Sequence, residues 1–198
     1  MDIHVTDDQI GRYFRRRQLG LRLLAHGARP QTVEQWSGLT NDQLTTLRRR
    51  WAIAADDGPR GPSPSSFGVF FSSRQLRRHA ALFSSLCQIM GVIPTRRGKD
   101  VADRIPSLEN GERLCETFEL LKEWSPDTTI TFEQAVLLAL GVAEENAIRL
   151  KRCESCGSAA LIDQMKAPGD GCANCRKRSR SRVLLGKSKG KQRAKAKP

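Results

Sequence analysis

The chain has 198 residues, 38% of them hydrophobic, with 34 Lys and Arg against 21 Asp and Glu for a formal charge of +13. That length and apolar content allow one main domain plus a small module, and they exclude a chain disordered throughout. The charge is uneven: residues 176–197 carry eleven Lys or Arg and no acid, leaving 23 basic against 21 acidic residues elsewhere, so the excess calls for a polyanionic partner.

The opening Met1-Asp2-Ile3-His4 lacks a basic stretch followed by an apolar run, and the longest apolar stretch, residues 135–143, is too short to span a bilayer. A cytoplasmic protein without a membrane role is expected. A first helix gathers Tyr13, Leu19, Leu21, Leu23 and Leu24 with Arg12, Arg15, Arg16, Arg17 and Arg22, and Gly27 stops it. Arg29-Pro30-Gln31-Thr32 opens a second helix in which Val33, Trp36 and Leu39 share a face, broken at Ser37-Gly38. Thr40-Asn41-Asp42-Gln43 has the form of a capping box and starts a third. Its apolar positions Leu44, Leu47 and Trp51 recur at three and four residues, which predicts an inward stripe with Gln43, Thr46, Arg49 and Arg50 outside.

Two short helices across a glycine turn, the second polar and basic on its outer face, have the outline of a helix-turn-helix, although a plain helical hairpin shares it. In the DNA-binding arrangement, Gln43 and Thr46 face base edges and Arg48, Arg49 and Arg50 supply affinity through phosphates. Residues 56–66 are rich in Gly, Pro and Ser and cannot continue a helix. Phe67, Phe70 and Phe71 follow and are expected to pack on the body or on a partner. A helix over residues 75–90 turns Leu76, Ala80, Phe83, Cys87 and Met90 inward. Further helices are expected around Leu108 to Trp124 and from Thr131, where Thr131 and Gln134 form a second capping box. Cys87 and Cys115 lie on apolar helical faces and are expected in the core. His26 and His79 have no serine or cysteine partner in a recognisable catalytic setting, no phosphate-binding glycine loop stands out, and neither catalysis nor a small-molecule substrate is expected.

Cys153-x-x-Cys156 and Cys172-x-x-Cys175, with fifteen residues between the pairs, have the spacing of a four-thiolate zinc ribbon. Four thiolates fill a tetrahedral shell and leave no place for water, so one structural zinc ion is expected. Gly157, Pro168, Gly169 and Gly171 supply the turns. A pair of disulfides is the alternative, disfavoured where no secretory signal is read. The basic run begins at the last cysteine. It has almost nothing apolar to bury, is expected to be disordered when free, and presents Arg176, Lys177, Arg178, Arg180 and Arg182 to phosphates.

The order of these features resembles the FlhC family, the subunit of a bacterial flagellar master transcriptional activator. The resemblance is carried by Leu24-Ala25-His26-Gly27-Ala28-Arg29, Gly61-Pro62-Ser63-Pro64 leading to Phe70-Phe71, His79-Ala80 and the two cysteine pairs. It implies zinc held by Cys153, Cys156, Cys172 and Cys175, and a transcriptional activator working in a hetero-oligomer with an FlhD-type partner. That complex would bind double-stranded promoter DNA of flagellar operons and engage RNA polymerase. FlhC-like proteins also occur on mobile elements, where they activate conjugative-transfer genes, which is the alternative regulon, and the tail is more basic than the family leads one to expect. From the residues alone, an RNA-binding or ribosome-associated zinc-ribbon protein is the rival, and a zinc-stabilised nuclease a weaker one.

The expected architecture is therefore a mainly α helical bundle. It comprises a helix-turn-helix-like segment over 1–55, a linker and aromatic segment over 56–74, a helical core over 75–150, a zinc ribbon over 151–178 and a basic tail over 179–198.

Overall fold

Local side-chain chemistry sets the helix ends in the computed structural model, which describes residues 4–51, 53, 61–165, 172, 173 and 175, with the backbone alone for 4–8. Helix α1 runs His4–Ala25, and Gly27 at φ 76° reverses the chain so that the Gly27 and Ala28 amides return to Leu24 and Leu23 carbonyls at 2.9 Å. Helix α2, Pro30–Ser37, begins on proline and ends on left-handed Gly38. Helix α3, Asn41–Arg50, starts from the expected capping box: the Gln43 amide donates to Thr40 Oγ1 at 3.3 Å and the Thr40 amide to Gln43 Oε1 at 3.1 Å. A 3-10 turn, Phe67–Phe71, leads into α4, Arg74–Ile89, and the short α5, Lys99–Ala102. Helix α6, Leu108–Trp124, is capped by Ser107, and α7, Phe132–Glu144, by the Thr131–Gln134 box. An antiparallel hairpin of β1, Ile148–Arg152, and β2, Ala159–Asp163, follows α7, with Leu150 opposite Leu161. The fold is mainly helical, and among the described residues no helix is long and apolar enough to cross a membrane.

Helices α1 and α6 run parallel. Arg15 pairs with Glu112 and Arg22 with Glu119, both at 2.6 Å, so each helix advances seven residues between the two ion pairs. Gly111 lets Leu19 of α1 lie against the α6 backbone, where a Cβ would come within 2.7 Å of Leu19 Cδ2. One continuous core follows, from Leu19, Leu23, Val33 and Trp36 through Phe83, Leu114 and Leu138 to Ile148 and Leu161. The segments expected as 1–55 and 75–150 share this core, and so do both strands of the hairpin.

One aromatic residue departs from the local pattern and three follow the expectation. Trp51, expected on the inner stripe of α3, is 63% exposed. The stripe outlasts its cover: α3 packs on α1 and α2, its last buried position is Leu47, and Trp51 caps the helix at φ −101°, ψ 12° beyond them. Phe67, Phe70 and Phe71 turn towards the body, Phe70 fully buried and Phe67 seated on Gly141 of α7.

Candidate metal centre

The hairpin aims the first cysteine pair. The Cys153 amide donates to the Ser158 carbonyl and the Gly157 amide to the Cys153 carbonyl, both at 2.8 Å, closing a tight knuckle between the strands. Gly157 adopts φ 73°, a conformation that costs other residues strain. The hairpin itself is seated on α4. Arg77, 7% exposed, donates from Nε to the Leu161 carbonyl at 3.1 Å and lies over the Phe71 ring, while Leu161 and Ile148 are fully buried.

Cys153, Cys156, Cys172 and Cys175 converge, their four sulfurs all within 4.8 Å of one another. Cys156 Sγ lies 3.4 Å from Cys172 Sγ, and Cys153 Sγ lies 3.9 Å from Cys175 Sγ. Sulfurs placed tetrahedrally about 2.3 Å from one ion would be separated by about 3.8 Å. The cluster therefore fits a single metal ion with only small adjustment, and its all-thiol donor set suits a soft or borderline cation.

Hydrogen bonding divides the four thiols. Amides of Ser155 and Cys156 directed at Cys153 lower its pKa. The Ser158 hydroxyl, 3.3 Å from Cys156 Sγ, together with the Ser158 amide brings the Cys156 pKa down to about 6. Cys172 is raised by burial, and Cys175 is pushed up to about 12, chiefly because its proton is shared with Cys156 and Cys172. Cys156 is thus the thiol readiest to ionise, and a cation entering the cluster would displace the protons that the other thiols hold. Ser158 and Arg77 escape a reading of the cysteine spacing. The Cys-Gly-x sequence that turns Ser158 back towards Cys156 is a signal for the first, and nothing local marks the second.

The residues assigned to DNA are less closely grouped. Gln43, Thr46, Arg49 and Arg50 are exposed on α3, whereas Arg48 is half-buried with its Nε enclosed. Gln43 Oε1 is occupied by the Thr40 amide, which leaves its amide nitrogen as the outward group. Arg176, Lys177, Arg178, Arg180 and Arg182, with the rest of the basic run, lie outside the described residues.

Cys87 and Cys115 lie fully buried, Cys115 beneath the Arg22–Glu119 pair, and burial pushes both thiols up, Cys115 to about 12. They are packing residues. A cleft of about 730 Å³ opens where the end of α1, residues 62–64 and the start of α7 meet, lined by His26, Arg29, Lys122, Phe118 and Phe132. Several of its polar groups are engaged by the surrounding body: His26 Nε2 lies 2.8 Å from Glu119, the Arg29 amide donates to buried Glu133 at 2.8 Å, and Lys122 reaches the Thr128 carbonyl at 3.3 Å, while Arg29 Nε is buried without a hydrogen-bond partner.

No protein-family model matches the chain, and no curated protein matches it.

Proposed function

We propose that this protein is a zinc-stabilised, DNA-binding subunit of a transcriptional activator, acting with an FlhD-type partner on flagellar operons. The observation that carries the reading is a four-thiol cluster, built on a hairpin fixed to a helical body, whose last cysteine is followed at once by a run of Lys and Arg. Such a centre is structural: four protein thiolates leave zinc no open position for water. Its work is to close the loop between the cysteine pairs and to set where the basic run leaves the body. Residues 176–182 then neutralise phosphates, which gives affinity and orientation without reading sequence.

Base discrimination falls to α3. Thr46 and the free amide group of Gln43 supply groups that hydrogen-bond base edges, and Arg49 and Arg50 bind the flanking backbone. The partner and RNA polymerase enter through the FlhC-like order of the chain. A conjugative-transfer regulon would use the same chemistry on other promoters.

Competition fluorescence anisotropy at near-physiological salt tests this, with a flagellar promoter fragment against a scrambled duplex, with and without the FlhD-type subunit from the same genome. A preference of at least about a thousandfold that needs the partner is expected. Equal binding to both duplexes, with or without the partner, refutes the activator reading and turns attention to RNA.

A further inference from the structure

The cleft of about 730 Å³ between the end of α1, residues 62–64 and the start of α7 has the size of a small-molecule site, and the make-up of one: apolar surface with a few polar groups among it. Its fixed part is an aromatic cluster. His26 stacks on Phe132 with centroids 5.5 Å apart and planes inclined by 12°, and Phe118 meets both rings edge on, at 5.4 Å from His26 and 5.2 Å from Phe132. His26 Nε2 is held by Glu119 at 2.8 Å, so the ring cannot turn without losing that bond. Pro62 and Pro64 add apolar surface on a stiff backbone. The cleft is therefore formed before any ligand arrives.

Its charge is not compensated from within. Arg29 and Lys122 both line it, and neither pairs with a carboxylate among the described residues. The Arg29 guanidinium rests on carbonyls alone, those of Gly61 and, at 2.9 Å, Pro62, with its Nε enclosed and unpartnered. Lys122 Nζ lies 3.3 Å from the Thr128 carbonyl and 5.3 Å from the centre of the Phe118 ring. Carbonyl dipoles and ring faces hold a cation in place but leave its charge standing. The acid of the lining, Glu133, is 8% exposed and accepts from the Arg29 backbone amide at 2.8 Å. Elsewhere on this surface arginines do find carboxylates, as Arg15 and Arg22 do at 2.6 Å.

We propose that this cleft binds a small organic anion, whose carboxylate or phosphate is held by Arg29 and Lys122 and whose ring-bearing apolar body lies along the aromatic and proline surface. The two cations disfavour a cationic ligand, and charge-assisted hydrogen bonds from them fix the anionic end. A bare inorganic anion would leave the apolar part of the cleft unused.

The test is a titration of the labelled full-length chain at near-physiological salt, followed by amide NMR, with phenyl phosphate, benzoate, inorganic phosphate and benzyl alcohol as probes. Phenyl phosphate or benzoate should saturate the cleft, moving the amides of Gly27, Ile130 and Gln134, and the tighter of the two tells phosphate from carboxylate. That probe should bind at least about tenfold more tightly than inorganic phosphate or benzyl alcohol, each of which carries one half of the ligand. Lys122→Met should weaken it by at least about tenfold, the loss of one charge-assisted hydrogen bond, while Lys122→Arg should retain it. Lys151→Met, which removes the same charge from an exposed position on β1, should change nothing. Circular dichroism and melting confirm that the variants fold, and the wild-type shift pattern decides the question without them. Equal weakening by Lys122→Met and Lys151→Met, or inorganic phosphate binding as tightly as the ring-bearing anions, assigns the effect to net charge and overturns the proposal. Benzyl alcohol binding as tightly as either anion overturns it too, since the cleft would then select no charge. So does the absence of shifts in the cleft at millimolar concentrations of phenyl phosphate and benzoate.

Discussion

Replacing Gly141 by alanine should destabilise the protein, against the direction that helix propensity predicts. Gly141 lies inside α7, where alanine is favoured over glycine by about 1 kcal/mol. A methyl group there would strike the Phe67 ring, with Cζ at 2.5 Å, and would come within 3.2 Å of Ile148 Cδ1. A ring edge cannot yield as the tip of a flexible chain does, so Phe67 must leave its seat or strain its backbone. Overpacking of this kind costs about 1–3 kcal/mol. Withdrawing a half-buried phenyl group from the core adds about 1 kcal/mol. The expected net loss is about 1–3 kcal/mol, or a fall in Tm of about 2–12 °C for a chain of this size. Urea denaturation followed by circular dichroism measures it, and a double-mutant cycle with Phe67→Ala isolates the cause. With the ring removed the methyl group has room, and Gly141→Ala should then stabilise by up to about 1 kcal/mol. Gly11→Ala, where the added carbon meets nothing within 4 Å, is the positive control and should stabilise α1. An increase in stability for Gly141→Ala in the wild-type background would refute the argument.

Three further outcomes follow from the geometry. Cys156→Ser should lower the metal content of the dialysed protein, read by elemental analysis against protein concentration, while the helical signal persists because the helices pack without that residue; undiminished metal content would contradict the cluster. Arg77→Leu removes the donor to the buried Leu161 carbonyl and should cost about 1–3 kcal/mol, appearing as faster hydrogen exchange in the hairpin, and unchanged exchange there would show that the arginine does not fix it. The Glu119 pKa is lowered chiefly by its hydrogen bond with Arg22, so its contribution is fully present above the ordinary glutamate value of 4.5 and is lost as pH falls through the lower folded value. Glu119→Gln should flatten this acid limb, modestly because the pair is partly exposed and screened by salt, and an unchanged limb in urea titrations would show that another carboxylate governs it.

Much of the fold was legible in the chain because its helix ends are chemical. Thr40 with Gln43 and Thr131 with Gln134 satisfy backbone groups within four residues, and Gly27 and Gly38 take the left-handed conformation that ends their helices. The apolar period then placed Val33, Trp36, Leu44 and Leu47 in the core. The same period failed at Trp51, since whether a stripe is buried depends on how far the covering elements extend. Ile10, Tyr13 and Phe14, exposed on α1, illustrate this too, because no element among the described residues extends over them.

The candidate metal centre divides along the same line. Its four cysteines were evident from spacing, since a Cys-x-x-Cys turn directs both sulfurs to one side whatever surrounds it. The sequence by itself determined the caps, the helical faces and the four thiols, all consequences of interactions within a few residues. Only the tertiary structure decided that the hairpin rests on α4 through Arg77 and Leu161, that Phe67 is spent on Gly141, and that α1 and α6 run parallel with half of α1 uncovered. Those outcomes depend on pairs of residues as many as 97 positions apart, as in Arg15 and Glu112, whose meeting is set by how the whole core packs and by no local pattern.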